Sequence, residues 1–171
     1  MKKSLIVAFP VLLVACAGYS GSGLVAGRSG ADDVVGVMGP PRMQWTDADG
    51  ARRFAYPRGP MGVHTFMVLI GPDGKLRRIE NVLTPQTFSD IQAGMSKEQV
   101  LRALGPPEPS WTAYFKARDE LVWEWRYCDP WGQLARFDVL FDGSSELVRS
   151  TMTLTEAQTG NCPRGGCGCA S

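Results

Sequence analysis

The sequence predicts an α+β protein made of two tandem units, each a short helix or helix pair followed by a three-stranded antiparallel meander. Three observations carry this. The stretches "VVGVMGPPRMQW" (Val34 to Trp45) and "VLRALGPPEPSW" (Val100 to Trp111) share Val, Gly, Pro, Pro and Trp at a constant offset of 66. A well-capped helix, "SKEQVLRALGPP", precedes the second copy's extended runs. Those runs alternate with period two, not 3.6.

The elements can be justified in chain order. "MKKSLIVAFPVLLVAC" has two lysines, an apolar run from Leu5 to Val14 and then small residues, which is the pattern of a secretory signal. The run is too short for a membrane span, which needs about 20 residues, so residues 1–15 are expected to be removed. Residues 16–28, "CAGYSGSGLVAGR", are rich in Gly and Ser and read as a flexible tether. Folded structure is expected from Ser29.

In the second unit, residues 84–155, Thr84 is the expected cap of a first helix with Pro85 at its first position. Phe88 and Ile91 share a face, and Gly94 stops it. Ser96 with Gln99 three residues later forms a capping-box pattern. Val100, Ala103 and Leu104 make that helix's apolar stripe, and Gly105, Pro106 and Pro107 end it. In "ELVWEWRY" Trp123, Trp125 and Tyr127 share one side, expected toward the helices, and Glu124 and Arg126 the other, expected at the surface. "ARFDVLF" places Phe137, Val139 and Phe141 on one side. "DGSS" is a tight-turn signal before "ELVRSTMTL", and "CDPWGQ" is a longer loop.

The first unit, residues 29–83, repeats this order. After Trp45 the offset lengthens to 71 at Tyr56 and Tyr127, and holds through Phe66 and Phe137, Leu76 and Leu147, and the "LT" at 83 and 154. One unit alone would be marginal, whereas two side by side can share a core. Residues 156–171, "EAQTGNCPRGGCGCAS", show no apolar periodicity and read as a disordered Cys-rich tail.

Charge excludes one class of partner. The chain carries a formal charge of +1; without Lys2 and Lys3, sixteen basic face seventeen acidic side chains, about −1 and well mixed, so nothing attracts nucleic acid. Cys128, Cys162, Cys167 and Cys169 are an even set in a disulfide-permissive compartment, with three pairings open. The Cys-x-Cys spacing also suits a soft metal, but no His stands beside it, so disulfides are expected and no metal or cofactor. His64, the only histidine, lies in a strand-like run and is expected to pack. Trp45, Trp111, Trp123 and Trp125 fit a core or sheet face. Trp131, in the polar turn "DPWG", is expected to be exposed, a candidate binding anchor.

"LVAC" resembles the lipobox of bacterial lipoproteins, which implies diacylglyceryl attachment at Cys16, and Ala17 after it implies delivery to the outer membrane. "NVLTPQTFSDIQAGMSKEQVLRALGPP" (Asn81 to Pro107), with "WRY" after it, resembles the BamE (SmpA/OmlA) family of outer-membrane lipoproteins. The resemblance implies a non-enzymatic accessory protein, lipid-anchored on the periplasmic face, with the β-barrel assembly complex as its partner. It implies partner contacts at Asn81, Leu83, Thr84 and the sheet-end loop of Trp131. The second meander and the Cys-rich tail depart from that family. The tandem arrangement also resembles the β-lactamase inhibitor protein architecture, in which two units form one concave sheet that grips an enzyme.

Overall fold

The computed structural model describes residues 18–59, 62–162 and 166–169. It is α+β, with two separate four-stranded antiparallel sheets in sequential strand order. The first holds β1 (Met43–Thr46), β2 (Arg52–Pro57), β3 (Thr65–Ile70) and β4 (Leu76–Asn81). The second holds β5 (Ala113–Phe115), β6 (Glu120–Cys128), β7 (Leu134–Asp142) and β8 (Val148–Thr155). The helices are α1 (Ala31–Met38), α2 (Pro85–Ser89), α3 (Lys97–Leu104) and α4 (Glu156–Thr159). Each expected three-stranded meander therefore gains an edge strand, β1 or β5. These are too short to show a period in sequence and exist through pairing with β2 and β6.

The duplication is visible in backbone detail. Helices α1 and α3 lie 66 residues apart and end in Gly39 (φ 81, ψ −176) and Gly105 (φ 74, ψ −175). A positive φ favours glycine, which explains the repeated stop. The register shifts once between Leu69 and Ile70, and again between Leu140 and Phe141. Leu76 N–H donates to Ser29 O at 2.8 Å, as Val148 N–H donates to Met95 O at 2.9 Å. One landmark is corrected. Leu147 is exposed, and Val148, buried like Leu76, fills the equivalent place. The bridges Gly30–Lys75 and Ser96–Leu147 show the same one-residue lengthening.

The capping signals act as expected. Thr87 N–H donates to Thr84 Oγ1 at 3.3 Å, and Ser96 and Gln99 form the capping box. Helix α1 packs Val34 and Met38 against Phe54, Tyr56, Val68 and Ile70 of the first sheet. In the second unit Phe88, Ile91, Val100 and Leu104 meet Trp125, Phe137, Val139 and Phe141, so Trp125 and Phe137 do face the helices. Phe88 stacks on Phe137 with centroids 4.0 Å apart.

Helix α3 also has a second apolar side. Leu101 packs against Trp45, Ala55, Met67 and Val82 on the opposite face of the first sheet. Arg102 Nη1 bonds Asp47 at 2.9 Å, and a Cβ at Gly105 would stand 2.8 Å from Thr65 Cγ2. One helix is thus held between two sheets, and this joins the units. Among the described residues the strands form two sheets with α3 packed against both, not the single concave sheet of the inhibitor-like architecture.

The far face of the second sheet is polar where the first is apolar. At the offset of 71, Arg126, Arg136 and Asp138 replace Ala55, Thr65 and Met67. Arg126 is a correction to the sequence reading: it is buried, and its Nε bonds Glu156 Oε1 at 3.1 Å. Glu156 also accepts from Arg136 Nε at 3.1 Å, and Arg136 Nη1 reaches Glu124 at 2.6 Å. Alternation marked these residues as off the helix-facing side, but α4 covers them.

Burial, with Asp138 beside it, pushes the Glu124 carboxyl up from 4.5 to about 7, and the attraction of Arg136 does not offset this. Between the unfolded value and about pH 7 the folded state therefore holds a proton, shared by the Glu124–Asp138 pair, that the unfolded chain has released. Its stabilising contribution is complete below the unfolded value and is lost as pH rises through about 7. Thermal melts from about pH 5 to 8 should show a falling midpoint, and Glu124→Gln should flatten that slope. An unchanged slope would mean that the proton is not carried by Glu124.

The expected tether and tail are both corrected over their described residues. Gly18 N–H donates to Val37 O, Leu24 joins the first core, and Gly27 N–H donates to Leu76 O at 2.8 Å. A few apolar anchors among Gly and Ser suffice to dock residues 18–28. In the tail, Thr155 caps α4 by accepting from Gln158 N–H. Cys128 pairs with Cys169 and Cys162 with Cys167, and Leu134 N–H donates to Cys167 O at 2.7 Å. The cross-link and this pairing order a segment whose composition alone could not.

Candidate functional site

The four residues expected at the partner surface do not gather. Asn81 Oδ1 accepts from Thr65 N–H at 3.2 Å and Leu83 N–H at 3.3 Å, so it shapes the turn after β4. Thr84 is the cap of α2. Leu83 is 4% exposed and belongs to the second core. Trp131 alone stands out, 82% exposed at the tip of the β6–β7 loop. Cys16 lies outside the described residues.

The Trp131 loop is braced from both sides. Asp129 Oδ1 accepts from Trp131 N–H at 2.9 Å and from Gln133 N–H at 2.7 Å. Cys169 N–H donates to Gly132 O at 2.8 Å, and the Cys128–Cys169 disulfide ties the tail to the end of β6. A large apolar ring on a loop held this way loses little further freedom on binding, which favours an anchoring role.

A second feature was not legible in the sequence. A cleft of about 440 Å³ opens where the units meet. One wall is the turn after α3, with Pro106, Pro107, Glu108 and Trp111; the other is the end of β2, with Pro57 and Arg58. Trp125, Arg126 and Leu83 line it from the second unit, and Arg42, His64 and Thr65 from the first. The repeated Gly-Pro-Pro was the one signal available, since it turns the chain at this junction.

His64 has the packing role expected of it: its Nδ1 lies 3.0 Å from Tyr19 Oη, and its ring stacks on Phe66. Burial lowers its pKa, favouring the neutral ring. Among the described residues no three His, Cys, Asp or Glu side chains gather as a metal site. No helix of the described residues is long and apolar enough to cross a membrane. Comparison with known proteins finds no matching family model, no matching curated protein and no matching solved structure.

Proposed function

We propose that this chain is a non-enzymatic outer-membrane lipoprotein, anchored through Cys16 on the periplasmic face, that binds an envelope protein partner such as the β-barrel assembly complex. The observation that carries the binding role is Trp131, exposed on a loop locked by hydrogen bonds and a disulfide. The lipobox "LVAC" and the BamE-like stretch support the anchor and the partner class. Two residues of chain span about 7 Å at most, so a lipid on Cys16 would bring Gly18 and the end of α1 against the bilayer. Two separate four-stranded sheets differ from the one concave sheet of the enzyme-gripping alternative.

Crosslinked pull-down of the lipidated protein tests the reading. Trp131→Ala should leave the denaturation midpoint unchanged and weaken partner binding by about 2 kcal/mol, the scale of an interface hot spot. A lowered midpoint with unchanged binding would remove Trp131 as the anchor. Cys16→Ala should shift the protein from the outer-membrane pellet to the soluble or unprocessed fraction; sedimentation at the wild-type level would rule out lipid as the anchor.

A further inference from the structure

We infer that the cleft between the two units is a binding site for a monoanionic carboxylate carried on an apolar body. The inference does not depend on the membrane or partner reading above, because it rests on residues other than Cys16 and Trp131.

Charge in the cleft is unbalanced. Arg126 is matched by Glu156, 3.1 Å away and buried with it. Arg58 has no carboxylate partner among the described residues: one Nη donates to Gly18 O at 3.2 Å, and its Nε is buried without a hydrogen bond. The rings of Tyr19, Tyr56 and Phe66 surround its guanidinium at 5.3 to 5.8 Å. Burial lowers its pKa, as expected for a cation whose counter-charge is missing. Arg42 at the rim has no charged partner among the described residues either. Against these two cations stands one carboxylate, Glu108, already accepting from Ser110 N–H and Oγ.

Trp125, 2% exposed, lines the same cleft and adds to its apolar floor. The guanidinium fork suits a planar carboxylate, and an excess of one positive charge suits a monoanion better than a dianion. Pro57, Leu83, Pro106 and Trp111 offer apolar walls, and about 440 Å³ lies within the range of small-ligand sites.

The test is calorimetric titration of the mature protein with 3-phenylpropionate, with acetyl-Ala-Pro-Phe bearing a free carboxylate, with the same peptide amidated, and with inorganic phosphate. The carboxylates should bind about tenfold or more tighter than the amide, and tighter than phosphate. If the peptide acid exceeds 3-phenylpropionate, the source is a chain terminus; if not, it is a small organic acid. Arg42→Gln, at an exposed position, should weaken carboxylate binding several-fold without moving the melting midpoint. Arg58→Gln should abolish it, with its fold checked by circular dichroism. Equal binding of acid and amide, preference for phosphate, absence of binding by every probe, or an Arg42→Gln protein that binds as wild type would overturn the assignment.

Discussion

Replacing Trp125 by alanine lowers the free energy of unfolding by about 3 to 5 kcal/mol. The side chain is 2% exposed, pairs across the ladder with Phe137, and belongs to the core that Val100 and Leu104 of α3 complete. Its indole N–H has no hydrogen bond, so truncation removes packing and nothing else. The surrounding sheet cannot collapse into the space because α3 is held on its other side by the first sheet. Urea unfolding followed by far-ultraviolet dichroism measures the loss. A loss under about 1 kcal/mol would mean that the Trp125 face is not the principal core.

Arg126→Ala should cost about 3 kcal/mol, the low end expected when one partner of a buried ion pair is removed. Glu156, 1% exposed, would keep Arg136 but lose its bond to Arg126. Removing both charges should be milder than the sum of the single changes, by about 1 kcal/mol or more, because no uncompensated carboxylate remains. The first unit supports this, since it carries Ala55 at the position equivalent to Arg126 and buries it fully. Denaturant midpoints of the two single variants and the double variant decide it. Strict additivity would show that the two side chains do not interact energetically.

The two units share elements but not surroundings. Sheet one has α1 on one face and α3 on the other, both against apolar side chains; sheet two has α2 and α3 on its apolar face and, on the other, an ion network under the short α4. A polar last face on a repeated structure stops further stacking, which accounts for the exchange of Ala55, Thr65 and Met67 for Arg126, Arg136 and Asp138 in the second copy.

The sequence by itself determined the fold class, the duplication, the caps of α2 and α3, their glycine stops, and which faces of β6 and β7 meet the helices. Each of these signals lies within a few residues of the structure it directs: Ser96 and Gln99 are one helical turn apart, and Trp123, Trp125 and Tyr127 alternate along one strand. It also marked Trp131 as exposed, because turn residues flank it on both sides. Only the tertiary structure decided that Arg126 is buried, that Leu101 gives α3 a second partner, and that residues 18–28 and the tail dock. The cleft belongs with these, since Arg42, Arg58, Pro106 and Trp125 are far apart in the chain. Their meeting depends on how α3 lies between the sheets, and no local pattern of caps or alternation carries the relative placement of two packed units.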